Sequence, residues 1–199
     1  MRYVLLLRGI NVGGRNKIVM ADLRQAVADL GYDNVETYIN SGNLFFDSTK
    51  SRGEIVADFQ TFFTERYPFV EQFALLDAQD FQVEIDQLPA WWQEELARKD
   101  VLFFTEGLEK QTMIDYIQSL MLGDEIVFIS AYAIYWGKYS EDSYLQTAYH
   151  KQLAKSPFYK QVTIRNSKTF SAISNYLNTK KNTKTSLICN ALDIFLLYL

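Results

Sequence analysis

The 199-residue chain has one cysteine, Cys189, and one histidine, His150. One cysteine cannot close an internal disulfide, which points to a reducing compartment and a cytoplasmic protein. Structural zinc needs several Cys or His ligands, so these counts predict no metal site. A Ser-His-Asp triad would have to use His150, which lies on a predicted helix between Tyr149 and Lys151 with no GxSxG serine to serve; it reads as a surface histidine. No apolar run reaches the roughly 18 residues of a membrane span, so no membrane association is expected. The start, Met1 to Arg8, is charged and then apolar, but the run from Tyr3 to Leu7 is short and no small-residue cleavage site follows. It reads as a buried strand and not as a leader. Excess positive charge is also missing: the net charge of −4 repels phosphate backbones at long range and makes nucleic-acid binding unlikely.

Apolar material is plentiful. Hydrophobic residues make up 48% of the chain and aromatic residues 15%, and a fold of this length buries roughly 70% of the surface its unfolded chain exposes. Tyr3 to Leu7 is a continuous apolar run, the pattern of a strand covered on both faces. Met20, Leu23, Val27 and Leu30 recur at helical spacing, with Gly31 as C-cap. Val35, Thr37 and Ile39 alternate with polar or amphipathic residues as in a half-buried strand. Asn40-Ser41-Gly42-Asn43 is a turn, and Leu44 to Asp47 returns as a second strand. Ser51 and Glu54 make a capping box for a helix with Ile55, Phe59, Phe62 and Phe63 on one face, stopped by Pro68. Phe69 to Leu76 reads as a fourth strand.

Residues 77–99 read as a connector with helical pieces, in which Trp91 and Trp92 are packing anchors between two halves. The order then repeats. Val101 to Thr105 is a strand, and Met113, Ile117, Leu120 and Met121 mark a helix face. Glu125–Ile129 and Tyr132–Trp136 form a hairpin through Ser130-Ala131. Ser143 and Gln146 suggest a capping box for a helix through Leu145, Tyr149 and Leu153, ended by Pro157. Gln161 to Ile164 is a strand, and Phe170, Ile173 and Leu177 give one more helix.

The expected fold class is therefore α+β: two tandem ferredoxin-like βαββαβ halves with antiparallel sheets, plus a C-terminal helix. The expected division is a first half at 1–77, a connector at 78–99, a second half at 100–178, and a linker with an apolar tail at 179–199. The tail, Leu187 to Leu199, is too short to span a bilayer and reads as a docked helix or an altered chain end.

In a ferredoxin-like half, strands one and two run parallel through a right-handed crossover, with strand three between them. The loop after strand one and the hairpin between strands two and three then share one end of the sheet. This brings Arg8, Gly9, Asn11, Gly13, Gly14, Arg15 and Lys17 beside Asn40, Ser41, Gly42 and Asn43. Glycines permit positive φ and close backbone approach. Loop amides ahead of a helix can hold an anion, and Arg8, Arg15 and Lys17 add positive charge. The favoured reading is a small anionic ligand, phosphate- or nucleotide-like, bound at these residues. The rival reading is that the glycines only make turns and the asparagines only satisfy loop backbone.

Gly9 and Gly14 have the spacing of a phosphate loop, but Arg15-Asn16 replace its Lys and Ser/Thr, so the magnesium-holding hydroxyl is missing and NTP hydrolysis is not expected. No cofactor motif and no catalytic constellation is legible, which leaves enzymatic activity open. Phe45 and Phe46 could stack bases on an open sheet, but the RNP1 pattern is absent and these rings read as core. The alternatives to a ligand-binding protein are a protein-interaction or self-association module forming a homodimer, and a weak RNA binder.

The stretch Leu6-Leu7-Arg8-Gly9-Ile10-Asn11-Val12-Gly13-Gly14, with Asn16-Lys17-Ile18 and Met20, resembles the signature of the bacterial domain-of-unknown-function family DUF1697. Thr37-Tyr38-Ile39-Asn40-Ser41-Gly42-Asn43 resembles its second signature. Arg165-Asn166 with Thr169 resembles its C-terminal RN-x-x-T element, with Ser167-Lys168 standing where a tryptophan and a small polar residue are expected. The resemblance covers about residues 1–178 and implies ferredoxin-like halves in a bacterial cytoplasm. It implies no activity, because none is assigned to the family.

Overall fold

The structure is a computed structural model that describes residues 1–142 and 144–178. Ser143, the expected partner of Gln146 in a capping box, and the tail at 187–199 lie outside the described residues. The first half runs β1 (Arg2–Leu7), α1 (Met20–Asp29), β2 (Asp33–Tyr38), β3 (Asn43–Asp47), α2 (Arg52–Arg66) and β4 (Phe73–Asp77). A short helix, α3 (Ala78–Asp86), and a 3-10 turn (Ala90–Gln93) lead to the second half: β5 (Arg98–Phe104), α4 (Lys110–Gln118), β6 (Glu125–Ile129), β7 (Ala133–Lys138), α5 (Ala148–Lys151) and β8 (Val162–Asn166). A last helix, α6, covers 167–178.

The two sheets have the same order, β2-β3-β1-β4 and β6-β7-β5-β8. Every neighbouring pair is antiparallel. Both β1 and β2 oppose β3, so they run parallel to each other, as a crossover through α1 requires. The chain is thus two tandem ferredoxin-like halves. The continuous apolar run of β1 becomes a strand buried at every position, because it pairs on both edges and is covered on both faces. The Ser51–Glu54 capping box opens α2 as its sequence indicates.

Three local expectations need correction. Strand β4 begins at Phe73 and not at Phe69; Phe69 is exposed, and only Phe73 onward pairs with β1. Met121 is not on the helix face: α4 ends at Gln118, and Met121 is 87% exposed. The helix expected through Leu145, Tyr149 and Leu153 is a 3-10 turn, the single turn of α5, and a second 3-10 turn, with Leu145 exposed. Thr147 caps α5 through the His150 amide. The buried carboxylate of Glu125 on β6 accepts from the Ala148 and Tyr149 amides and from Trp136 Nε1. A non-local carboxylate thereby sets where this turn starts, which periodicity cannot register.

Each sheet packs its own helices on one face. Phe46, Phe59 and Phe63 belong to the first such core, and Leu102, Met113 and Ile117 to the other. The opposite faces share a third core: Val4, Leu6 and Phe45 from β1 and β3 join Val101, Phe103 and Tyr135 from β5 and β7. Trp91, Trp92 and α6 are part of it. Phe170 of α6 packs against Phe81, Trp92, Phe103 and Tyr135, and Tyr176 stacks on Phe45 at 4.7 Å. The tryptophans are packing anchors between the halves, as expected. Phe45 and Phe46 are fully buried, so neither sheet face offers these rings to a base.

Candidate functional site

The loop after β1 and the β2–β3 hairpin meet, as the crossover topology requires. The Leu7 amide donates to the Gly42 carbonyl at 2.8 Å. Asn11 Nδ2 donates to the carbonyls of Asn40 and Ile18, and its Oδ1 accepts from the Ile18 amide. Asn43 Nδ2 donates to the Tyr38 carbonyl and Ser41 Oγ, and Asn16 Nδ2 donates to the Gly9 carbonyl. These asparagine side chains spend donors on loop closure.

Gly42 sits at φ +79°, and a Cβ there would lie 2.6 Å from Leu7 Cβ. Close approach and left-handed backbone both demand glycine. Gly42→Ala is expected to destabilise the protein by about 2–4 kcal/mol, read from urea unfolding monitored by tryptophan fluorescence; a loss within about 0.5 kcal/mol would show that the two segments separate easily. At the start of the same hairpin Ile39 has φ +47°, a backbone conformation costly for a β-branched residue.

A third segment reaches the mouth from the second half. The guanidinium of Arg165, on β8, is buried, and among the described residues it pairs with no carboxylate. Nη2 donates to the carbonyls of Leu7, Ser41 and Gly42, at 3.0, 2.9 and 3.2 Å. Nε donates to Asn43 Oδ1 and Nη1 to Thr163 Oγ1 and the Ile164 carbonyl. Thr163 Oγ1 also donates to the Leu7 carbonyl. Burial pushes the Arg165 pKa down from its usual value to about 9, which still leaves it charged at neutral pH. The C-terminal arginine is therefore a plug that joins both N-terminal signature segments.

The expected ligand residues part company around this plug. Arg8 turns toward the second half: Nε and Nη2 donate to the Tyr159 carbonyl, and the guanidinium lies 5.4 Å from the Tyr159 ring centre. Gly13, Gly14, Arg15 and Lys17 are exposed at the loop tip, where Val12 and Arg15 form a short antiparallel bridge. Asn40 and Ser41 are exposed at the rim, whereas Gly42 and Asn43 are buried. Arg8, Gly9 and Asn16 line a groove of about 470 Å³ between the halves. Its other wall carries Lys155, Tyr159 and Lys160, with Glu71 beside them. The tip residues and the hairpin do not line it. Nothing in the periodicity of residues 153–161 marks Lys155, Tyr159 or Lys160; they sit in 3-10 turns flanking Pro157. Arg165 had a signal, its place in the RN-x-x-T element, but no local pattern says what it binds. Among the described residues, no three His, Cys, Asp or Glu side chains are placed to hold a metal ion, and no helix is long and apolar enough to cross a membrane.

The comparisons agree with these signatures. The model of a family described as "Protein of unknown function (DUF1697)" matches residues 1–135. A solved structure, that of the conserved bacterial protein SP0830 from Streptococcus pneumoniae, is 54% identical, with a TM-score of 0.86 over 88% of this chain and 98% of that one. No match is found among curated proteins. With the match spanning β1 through β6, the start of β7 and both N-terminal signature segments, this chain belongs to the DUF1697 family of conserved bacterial proteins of unknown function.

Proposed function

We propose that the protein binds a small anionic ligand, phosphate- or nucleotide-like, in the groove between the β1 loop and the 3-10 turns ahead of β8. The observation that carries this reading is charge: Arg8, Lys155 and Lys160 line the groove, and Glu71 is the sole carboxylate among its lining residues. In a chain whose net charge is negative, a local cationic concavity selects for anions and draws them in at low ionic strength. Asn16, Ser156 and the phenol of Tyr159 add hydrogen-bonding groups on the same walls. Arg15 and Lys17, exposed on the adjoining loop, extend the positive field toward solvent. The single cysteine supports a reducing, cytoplasmic setting for this activity.

Titration of the full chain with inorganic phosphate, nucleotides and sugar phosphates tests the assignment. Lys155 and Lys160 are exposed, so reversing both leaves the core intact. Lys155→Glu with Lys160→Glu is expected to weaken binding by at least about tenfold, and raised salt to weaken binding to the unaltered chain. No heat or shift at millimolar ligand, or an affinity indifferent to the double reversal, ends the assignment.

A further inference from the structure

The mouth of the first half has a counterpart in the second half, formed by the loop after β5 and the β6–β7 hairpin. Its backbone closes in the same way, with the Phe104 amide donating to the Tyr132 carbonyl at 3.0 Å. Register shows what differs. In the second sheet Phe104 pairs with Val162, and three residues along, Val101 pairs with Arg165. In the first sheet Leu7 pairs with Phe73, and three residues along, Val4 pairs with Leu76. Leu76 thus occupies the position that matches Arg165. The guanidinium that plugs the first mouth has no equivalent in the second, and a cleft of about 440 Å³ remains there, with Leu76 on its wall.

This cleft is lined by charges of both signs over aromatic rings. Arg52, at the start of α2, donates from Nη2 to Glu106 at 2.6 Å and to the Leu75 carbonyl at 2.7 Å, and from Nη1 to Asp80 at 3.3 Å. Tyr132 donates its phenol proton to Asp80, and this bond, with burial, pushes the Tyr132 pKa up to about 12. Lys110 lies 5.5 and 5.3 Å from the ring centres of Phe104 and Tyr132 and donates to the Ala131 carbonyl. Asp77 completes the polar lining. Asp77, Asp80 and Glu106 oppose an anion, and Arg52 and Lys110 oppose a cation. A ligand carrying both signs on adjacent atoms can pair with each.

We propose that this second mouth is a separate site for a small zwitterion of the α-amino-acid class, its carboxylate held by Lys110 and Arg52 and its ammonium by Asp80 and Glu106. The side chain then rests on the Phe104 and Tyr132 rings. This site is independent of the anion groove, with which it shares no lining residue.

The test uses the full chain and the free α-amino acids in turn, followed by thermal unfolding and by NMR line shifts. At least one free amino acid is expected to bind at millimolar concentration or below, and its N-acetyl and carboxamide derivatives to bind at least about tenfold more weakly. Lys110→Gln, compared with its own ligand-free baseline, is expected to weaken that amino acid by about tenfold. The Lys155→Glu, Lys160→Glu variant should leave it unaffected. Absence of binding by all free amino acids, equal binding of the blocked forms, or indifference to Lys110→Gln overturns the assignment.

Discussion

Arg165→Met is expected to lower stability by about 2–4 kcal/mol, read as a fall in the urea midpoint. Methionine fills much of the volume but donates nothing. The Ser41 carbonyl and the Asn43 Oδ1 lose the donors that Arg165 supplies, and an acceptor left alone away from water costs about 1–3 kcal/mol; the Gly42 carbonyl keeps the Leu7 amide. The Leu7 carbonyl keeps Thr163 Oγ1, which caps the loss. Arg165→Lys should recover only part of it, because an ammonium lacks the planar fork that reaches three separate carbonyls at once. The pH dependence follows from the depressed pKa. The unfolded chain binds more protons than the folded one only above about pH 9, so the charge penalty is constant below that pH and relieved above it. The difference between Arg165→Met and the parent chain should accordingly stay flat from pH 6 to about 8. A variant more stable than the parent would show that burying the guanidinium costs more than its hydrogen bonds return.

Phe170→Ala is expected to cost about 3–5 kcal/mol in the same assay. The ring is 3% exposed and packs against Phe81, Trp92, Phe103 and Tyr135, so its removal opens a cavity where α3, α6 and the second sheet meet. Such rigid aromatic neighbours cannot collapse into the space. Met121→Ala, at a side chain 87% exposed, should change stability by no more than about 0.5 kcal/mol. A similar small change at Phe170 would mean that α6 is not part of the folding unit.

Several features are legible in the sequence. The Tyr3–Leu7 run, the Ser51–Glu54 box, the 130–131 turn and the Phe170, Ile173, Leu177 spacing are local signals, and each produced the expected element. Where local signals failed, a distant group had intervened. Glu125 sets the start of α5 from another strand, and the 87% exposed Met121 follows a helix that ends at Gln118. The site shows the same division. Topology predicts that Gly42 meets the β1 loop, and the Leu7–Gly42 hydrogen bond shows that it does. Topology does not predict that Arg8 leaves that mouth for Tyr159, because that contact spans 151 positions.

The sequence by itself determined the order of elements, the two-half architecture and the meeting of two glycine-bearing connections, since strand and helix periods and crossover handedness are short-range properties of the chain. Only the tertiary structure decided which mouth is plugged and which is open. That depends on a single register position, Arg165 in one half and Leu76 in the other, whose meaning arises when one half's edge strand is laid against the other half's loop. Side-chain reach across such a contact is a matter of ångströms in space, and separation along the chain carries no record of it.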